Sequence, residues 1–249
     1  MLLKGKTAVI TGCNRGIGAA MLKTFAENGA DIFACVRKET DEFSDRIKNL
    51  SEQNGVEIIP LYFDMRDADA MKNSVAQIRK SHKQIDILVN NAGMISENLL
   101  FHMTPIENMR ELFEVNFFAQ IRLTQYISRL MQKNSNGGSI IFMSSIAGLD
   151  GNPGQLEYVG SKAAILGITK TLAREFGAFN IRVNAMAPGI IETDMGNQVN
   201  EEMADDIIKH SPLQRRGKPE EIANVALFLA SDLSSYVTSE CIRISGGGI

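Results

Sequence analysis

Short apolar runs rich in valine and isoleucine alternate along the chain with longer stretches in which apolar residues recur every three or four positions. The short runs predict strands that are buried on both faces, and the longer period predicts amphipathic helices. Predicted strands cover residues 7–11, 31–36, 56–62, 85–90, 139–143, 181–187 and 241–244. Predicted helices cover residues 17–28, 68–82, 107–133 with a break near Asn116, 158–176 and 220–230.

Alternation of strands with helices predicts an α/β fold of the Rossmann type: a doubly wound, mostly parallel sheet of about seven strands, with helices on both faces. The 249 residues contain no linker, repeat or low-complexity tract, so we expect a single domain. A (β/α)₈ barrel has a comparable length, but a glycine-rich turn directly after the first strand favours the open sheet. Residues 189–217 give mixed signals, and we expect a substrate lid within them.

Composition and charge narrow the function to small-molecule chemistry. The net charge of −3, with acidic and basic residues interspersed, provides no basic surface for nucleic acid and no polybasic arm for a membrane. No apolar stretch reaches the roughly 18 residues of a spanning helix, so we expect a cytoplasmic protein. The three cysteines are widely separated and lack the spacing of a metal or disulfide framework. We therefore expect reduced thiols and no metal site.

The first predicted strand is followed by a glycine-rich turn, residues 11–18, that opens a helix. Glycine at position 12 permits the unusual backbone angles of the turn, and the absence of Cβ atoms lets a pyrophosphate approach the main chain. Gly18 lets the helix pack on the sheet. The turn therefore predicts a dinucleotide site, although a plain strand-to-helix turn is the alternative. Its predicted contacts are Gly12, Asn14, Arg15, Gly16, Ile17 and Gly18.

The end of the second predicted strand indicates which dinucleotide is bound. An NAD-binding unit has an acidic residue there for the ribose 2′-hydroxyl, whereas this chain has Val36 followed by Arg37. No carboxylate at this position repels a 2′-phosphate, and both Arg15 and Arg37 are candidates to hold one. The alternative is that either arginine is a solvated surface residue. The pattern favours NADP(H).

Tyr158 and Lys162 are four residues apart in a predicted helix, so their side chains project from the same face. A phenol with a pKa of about 10 holds its proton too tightly to be a good acid near neutrality, and a neighbouring cation favours the phenolate. We therefore expect Lys162 to lower the pKa of Tyr158 and to make it a proton donor. The alternative is a surface lysine beside a half-buried phenol.

Several motifs together resemble the short-chain dehydrogenase/reductase family along essentially the whole chain. They are the glycine-rich turn, residues 90–93, Asn116, the set of Ser145, Tyr158 and Lys162, and residues 188–193. Within that family, residues 97–100, 151–155, 187–195 and 217–223 are most similar to 3-oxoacyl-[acyl-carrier-protein] reductases of fatty-acid synthesis.

The resemblance implies a role for each member of the catalytic set. Tyr158 is implied to be the general acid, and Ser145 to hydrogen-bond the substrate carbonyl. Lys162 is implied to bind the nicotinamide ribose, and Asn116 to hold a water that feeds a proton relay. Ser145, thirteen residues before Tyr158, fits the motif better than Ser144. The further cofactor contacts implied by the resemblance are Asp64, Met65, Asn90, Asn91, Ala92, Gly93, Pro188, Gly189, Ile191 and Thr193.

The activity implied is NADPH-dependent reduction of a 3-oxoacyl thioester, of the acyl-carrier-protein type, to the 3-hydroxyacyl thioester. The resemblance also implies a homotetramer in which residues 118–133 and 158–176 pack across a two-fold axis. A carrier protein is acidic, yet residues 134–138 are uncharged and Phe179 stands where a cation would help docking. Two alternatives stay open: a related enzyme acting on a sugar, steroid or other secondary alcohol or ketone, and a regulatory protein that binds a dinucleotide without catalysis.

Overall fold

The fold confirms the predicted α/β class with a single parallel sheet. The computed structural model describes residues 1–81, 83–95, 97–198 and 201–248. Strands run over Thr7–Thr11 (β1), Asp31–Val36 (β2), Ile58–Tyr62 (β3), Ile87–Asn90 (β4), Gly138–Met143 (β5), Ile181–Pro188 (β6) and Cys241–Ile244 (β7).

The helices lie between these strands. They run over Gly16–Glu27 (α1), Asp41–Asn54 (α2), Ala68–Lys80 (α3), Ile106–Phe113 (α4), Ala119–Met131 (α5), Ile146–Asp150 (α6), Leu156–Phe176 (α7), Glu201–His210 (α8) and Pro219–Ala230 (α9). A π-helical turn, Glu114–Phe118, joins α4 to α5. Short 3₁₀ turns cover Phe101–Met103, Gly177–Phe179, Gly196–Gln198 and Asp232–Ser234.

The order of the strands explains where a site can form. The sheet runs β3-β2-β1-β4-β5-β6-β7, and every pairing is parallel. The chain therefore winds outward from β1 in one direction and from β4 in the other. In open sheets of this kind, ligands bind outside the carboxyl ends of the strands where the winding direction changes. That place is the crevice beyond β1 and β4, next to the glycine-rich turn.

Two hydrophobic clusters cover the two faces of the sheet. In β1, Ala8 and Ile10 join the cluster that includes residues of α1, α2 and α9. The residue between them, Val9, joins the cluster that includes residues of α3, α5 and α7. All three residues are fully buried. Because both faces are covered, the strand sequences are continuous apolar runs rather than alternating ones.

The α-helix predicted to break near Asn116 is interrupted there, but by a π-helical turn, so the segment stays helical throughout. The residues flanking the π-helical turn, Phe113 and Ala119, keep right-handed helical angles. The turn contains no glycine or proline that would end a helix. π-helical turns are frequent at functional sites. Here the turn carries Asn116, which is fully buried.

Helix α2 is absent from the sequence prediction because its apolar stripe is narrow. Only Phe43, Ile47 and Leu50 are buried in it. Its two ends nevertheless carry recognisable signals. The Thr40 side chain accepts a hydrogen bond from the Phe43 main-chain N–H at 3.3 Å, and Gly55 ends the helix with a left-handed φ of 63°. These two capping residues are visible in the sequence and predict a helix between them.

The predicted lid, residues 189–217, contains a 3₁₀ turn and helix α8. Main-chain hydrogen bonds close its base: Glu192 N donates to Gly217 O, and Gly217 N donates to Ile190 O, both at 2.9 Å. Residues 199 and 200 lie outside the described part. Its role as a lid stays a prediction. Across the ranges that the structure describes, no helix has both the length and the apolar character needed to cross a bilayer.

The three cysteines are free, as expected. Cys13 and Cys35 are buried, and the Cys13 thiol donates to the Ile10 carbonyl oxygen at 3.0 Å. Burial raises the pKa of both thiols, that of Cys35 to about 12. Both side chains therefore act as small core residues rather than as reactive thiols.

Candidate active site

The carboxyl end of β5 and the first turns of α7 bring the predicted catalytic residues together. Ser145 follows β5 and precedes α6, while Tyr158 and Lys162 lie one turn apart in α7. Tyr158 is 8% exposed and Lys162 is 3% exposed. The Lys162 Nζ lies over the Tyr158 ring, 5.7 Å from its centroid. The alternative of a surface lysine beside a half-buried phenol is thus wrong for this pair.

The two neighbouring serines have different tasks. The Ser144 hydroxyl is buried and donates to the Lys162 carbonyl oxygen at 2.8 Å, which fixes the end of β5 against α7. The Ser145 Oγ accepts from the Ala147 main-chain N–H at 3.2 Å, and the Ser145 hydroxyl is close enough to the Tyr158 phenol to lower its pKa. Ser145 is therefore the serine that faces the proton donor, in agreement with the predicted choice between the two.

Tyr158 does not have the lowered pKa that the sequence predicts. Burial of the phenol raises its pKa above 10.0 and outweighs the influence of the Ser145 hydroxyl, which lowers it. The cation was expected to favour the phenolate, but the Lys162 ammonium donates to the Met143 carbonyl oxygen at 2.9 Å and lies over the ring. The phenol therefore keeps its proton in the protein alone.

Lys162 is itself strongly perturbed. Burial lowers its pKa from 10.5 to about 8, because the charged form loses solvation inside the protein. Its main polar contact is the Met143 carbonyl oxygen. The charge on Lys162 is therefore sensitive to any group that binds beside it.

Asn116 acts on the main chain of the segment that follows β4. Its Oδ1 accepts from Met94 N at 2.8 Å, and its Nδ2 donates to Met94 O at 2.9 Å and to the Ser161 Oγ at 3.2 Å. A Cβ built on Gly93 would lie 3.2 Å from Asn116 Oδ1 and 3.4 Å from Lys162 Nζ. Both N–H donors of the Asn116 amide are thus used within the protein, so a water held by this residue has to donate to one of its oxygen atoms.

The glycine-rich turn packs as tightly as the sequence predicts. Gly12 has a φ of 73°, and a Cβ there would lie 2.9 Å from Asn91 Nδ2. A Cβ on Gly18 would lie only 2.0 Å from the Gly12 carbonyl oxygen. Asn91 Nδ2 donates to the Thr11 carbonyl oxygen at 2.9 Å. The turn after β1 and the turn after β4 therefore form one unit.

Thr11 joins these two turns and was not among the predicted site residues. Its Oγ1 accepts from Asn91 N at 3.0 Å and from Ala92 N at 2.9 Å. Asn90 supports the same unit from below, since it is fully buried and its Nδ2 donates to Thr124 Oγ1 at 2.9 Å. The position of Thr11 directly before the first glycine was the available signal. Thr11 and Asn90 shape the crevice rather than face it.

The predicted phosphate-binding arginines lie at the surface beside the turn. Arg15 Nη1 pairs with Asp194 Oδ2 at 3.0 Å, and both side chains are exposed. Arg37 is exposed at the end of β2. Hydrogen bonds from Arg66 hold the pKa of Asp64 at about 2, and the charge of Arg37 acts in the same direction. Two arginines thus flank the site, one of them paired across to the predicted lid.

A third arginine, missed by the sequence reasoning, touches the turn from α2. Arg46 Nη1 donates to the Asn14 carbonyl oxygen at 2.5 Å, and its Nη2 pairs with Glu42 at 2.6 Å. This contact follows from a helix that was not predicted, so no local signal pointed to it. Arg46 fixes the main chain of the glycine-rich turn.

The remaining predicted contacts surround the same crevice. The Thr193 side chain lies against the main chain of Gly16, where a Cβ would be 3.1 Å from its Cγ2. Gly189 packs on Ser245, with 3.0 Å between its built Cβ and Ser245 Cα. Ile191 is buried at the base of the predicted lid. The end of β6 is thus brought to the glycine-rich turn, as the predicted set of contacts requires.

A family model described as enoyl-(acyl carrier protein) reductase matches residues 12–248 of the chain. The 3-oxoacyl-[acyl-carrier-protein] reductase FabG of Thermotoga maritima is 42% identical over 248 residues, which cover 99% of each chain. The 3alpha-hydroxysteroid dehydrogenase of Mediterraneibacter gnavus is 39% identical, and the match covers 99% of this chain and 98% of that one.

Solved structures agree with this similarity. A 3-oxoacyl-[acyl-carrier protein] reductase from Brucella melitensis with bound NAD has a TM-score of 0.87 at 31% identity, covering 99% of this chain and 93% of that one. A putative NAD(P) dependent gluconate 5-dehydrogenase from Beutenbergia cavernae with bound NADP has a TM-score of 0.90 at 30% identity, covering 98% and 97%. The two similar structures thus hold different nicotinamide dinucleotides.

Proposed function

Because the chain belongs to the short-chain dehydrogenase/reductase family, we propose that this oxidoreductase reduces a 3-oxoacyl thioester to the 3-hydroxyacyl thioester with NADPH. The observation that carries the proposal is the cluster of the half-buried Ser145 with the buried Tyr158 and Lys162, beside the Gly93 main chain. That cluster occurs in a chain 42% identical along its whole length to a 3-oxoacyl-[acyl-carrier-protein] reductase.

The residues present fit a nicotinamide dinucleotide. Gly12 and Gly16 leave the main chain open at the start of α1, where unpaired N–H groups and the helix dipole favour a pyrophosphate. The absence of a side chain at Gly93 leaves space near Lys162 for the nicotinamide ribose. When bound, the dinucleotide supplies the hydride for the carbonyl carbon.

The protein's own groups manage the negative charge that develops on the carbonyl oxygen. Tyr158 donates its proton to that oxygen, and the Ser145 hydroxyl donates a hydrogen bond. The raised pKa of Tyr158 keeps the phenol protonated before the reaction. The Lys162 ammonium, over the same ring, stabilises the phenolate that remains. The buried setting strengthens each of these interactions.

The preference for NADPH over NADH rests on the groups beside the adenosine ribose. Val36 and Arg37 end β2 without an acidic residue, and Arg15 stands across the turn. An arginine forms strong, charge-assisted hydrogen bonds with a phosphate. Binding of a 2′-phosphate by Arg15 requires it to share or leave its pairing with Asp194, which is exposed and therefore weak.

The proposal extends to the predicted lid and assembly. Residues 189–217 close over the substrate as a lid. Main-chain hydrogen bonds join the two ends of this segment at Gly217, and helix α8 lies between those ends. The acyl group arrives on an acyl carrier protein.

The enzyme is a homotetramer in which residues 118–133 and 158–176 pack across a two-fold axis. Phe118, which is 51% exposed at the start of that surface, supports this packing.

A steroid ketone is the second candidate substrate. The segment between β4 and α4 exposes Leu100, Phe101 and Met103 by 65%, 68% and 65%. Large exposed apolar side chains near a crevice suit an apolar ring system better than an acidic carrier. The 39% identity to a 3alpha-hydroxysteroid dehydrogenase supports the same candidate.

A substrate panel decides between these functions. Oxidation of NADPH, with NADH in parallel, is followed by absorbance after addition of acetoacetyl carrier protein, a small acetoacetyl thioester or a 3-ketosteroid. We expect the thioesters to be reduced fastest, with NADPH, and Tyr158→Phe to lose the reaction. Faster reduction of the steroid would establish the second candidate. Dinucleotide binding without turnover of any carbonyl would indicate a non-catalytic regulatory protein.

A further inference from the structure

Gln155, directly before α7, directs its side chain away from its own helix. It lies three residues before Tyr158 and is 2% exposed. Its side chain makes no capping hydrogen bond to α7. Its Nε2 donates to Asn98 Oδ1 at 3.1 Å, and its Oε1 accepts from Asn152 Nδ2 at 3.1 Å. A capping side chain would stabilise the helix by about 1 kcal/mol. The position thus favours a long-range contact over local helix stability.

A main-chain hydrogen bond reinforces that contact. Leu99 N donates to the Gly154 carbonyl oxygen at 2.9 Å, and Leu99 forms an isolated parallel bridge with Gln155. We call residues 94–95 and 97–99 the wall segment, because they follow β4 and run beside the catalytic cluster. The carboxyl end of the wall segment is therefore joined to the residues immediately before α7, through both main chain and side chain.

The amino end of the wall segment is joined to α7 beyond Tyr158. Asn116 holds both main-chain polar groups of Met94, and its Nδ2 donates to the Ser161 Oγ. The Ser161 hydroxyl in turn donates to the Tyr158 carbonyl oxygen at 2.8 Å. Together with the Gln155 and Asn98 contact, these bonds form a closed circuit around Tyr158. Both ends of the wall segment are therefore tied to α7, one on each side of Tyr158.

We propose that Gln155 and Asn98 are positioning residues for the reaction, and that their hydrogen bond fixes Tyr158 against the carbonyl oxygen of the substrate. The inference rests on the proposed function. Tyr158 lies in the first turn of α7, and the ends of helices are the parts that fray. A general acid acts only within hydrogen-bond reach, and a displacement of about 1 Å can slow a reaction by roughly 100-fold. The hydrogen bond between Gln155 and Asn98 limits this movement of Tyr158.

Asn98 offers a matched pair of variants because it is exposed, so its substitution leaves the core intact. Asn98→Leu has a similar size but cannot accept the hydrogen bond from Gln155, whereas Asn98→Asp can. We expect Asn98→Leu to lower kcat by about 10-fold without changing NADPH affinity or melting temperature. Asn98→Asp is expected to retain most of kcat. If the hydrogen bond were merely structural, Asn98→Leu would lower the melting temperature and leave kcat unchanged.

A double-mutant cycle tests whether the two residues act together. Gln155→Met is nearly isosteric but lacks both polar groups, so it should lower kcat by a similar factor. Combined with Asn98→Leu, it should add little further loss, because both changes remove the same hydrogen bond. Multiplicative losses in the double variant would contradict the proposal, as would equal kcat values for Asn98→Leu and the wild type.

Amide hydrogen exchange gives a readout that does not depend on the substrate. Loss of the hydrogen bond between Gln155 and Asn98 should speed amide exchange at residues 97–100 and 156–159 in Asn98→Leu but not in Asn98→Asp. Unchanged exchange in Asn98→Leu would overturn the inference, whichever carbonyl is reduced. A wild-type enzyme that is inactive on acetoacetyl thioesters would count against the proposed substrate instead, and the exchange result would still decide whether the bridge exists.

Discussion

The glycine-rich turn and the catalytic cluster are two halves of one site, yet different interactions hold them. At the turn, the main chain is packed so closely that a Cβ on Gly18 would overlap the Gly12 carbonyl oxygen. The charged groups around it, including Arg15, stand in solvent. At the cluster, Tyr158 and Lys162 are polar groups enclosed by the protein. The turn depends on backbone shape, whereas the cluster depends on burial.

This difference separates affinity from rate. Exposed charged side chains at the turn stay hydrated and contribute little to the free energy of unfolding, so their role is to select a ligand. Burial at the cluster lowers the pKa of Lys162 to about 8 and raises that of Tyr158, so it sets protonation. Changes at the turn should therefore weaken dinucleotide binding, and changes at the cluster should slow hydride transfer.

The largest expected effect comes from filling the turn. Gly18→Ala places a Cβ 2.0 Å from the Gly12 carbonyl oxygen, so the turn must open. We expect dinucleotide affinity to fall by about 1,000-fold or more, measured by fluorescence titration with NADPH. Gly177→Ala is the control, because a Cβ there meets no atom within 4 Å and the φ of −56° suits alanine. It should preserve affinity and raise the free energy of unfolding by about 0.5 kcal/mol. Tight NADPH binding by Gly18→Ala would contradict the account.

Removal of the buried cation should slow the reaction while stabilising the fold. Lys162→Met removes the charge beside the phenolate, and we expect kcat to fall by about 100-fold. Because burial disfavours the ammonium, the free energy of unfolding in urea at pH 7 should rise by about 1–2 kcal/mol. Lys72→Met, at an exposed lysine of α3, should change neither quantity. A large loss of stability in Lys162→Met would refute this assignment.

The pH dependence of stability gives the sign of the Lys162 effect. Its folded-state pKa of about 8 lies below its usual 10.5, so between these values the unfolded chain binds more protons than the folded one. Unfolding free energy should therefore gain from this group as pH rises from 8 to 10.5. Lys162→Met should lack that contribution in parallel urea titrations, whereas Lys72→Met should keep it.

The smallest expected effect lies at the exposed end of the turn. Arg37→Ala removes one candidate partner of the 2′-phosphate, and we expect the NADPH-to-NADH affinity ratio to fall by about 10-fold. The affinity for NADH should stay within about two-fold. Arg79→Ala, at an exposed arginine of α3, controls for the loss of one positive charge. Equal weakening of both dinucleotides would show that Arg37 does not select between them.

The fold could be predicted where its signals are local. The seven strands were found from buried apolar runs, and the open sheet from the glycines that follow β1. Helix α2 was missed because Phe43, Ile47 and Leu50 are its only buried residues. An interruption near Asn116 was predicted, but its π-helical form was not, since no residue type marks such a turn. Both features depend on how a helix packs.

The site divides in the same way. Some site residues can be recognised from their spacing in the sequence, and the structure brings them to one crevice: Gly12, Gly18, Tyr158 and Lys162. The sequence predicts a lowered pKa for Tyr158, whereas burial raises it. Burial of this side chain depends on the whole fold and could not be seen in the local sequence. The contacts of Arg46 with Asn14 and of Gln155 with Asn98 join residues far apart in the chain. Their partners could not be read from either segment alone.

The most direct test of the central claim compares binding with chemistry in one variant. Tyr158→Phe is mixed in single turnover with NADPH and an acetoacetyl thioester, and its dinucleotide affinity is measured separately. The account predicts unchanged NADPH affinity and a hydride-transfer rate lower by about 100- to 10,000-fold, because only the proton donor is lost. A rate near that of the wild type, or a loss of NADPH binding equal to the loss of rate, would contradict it.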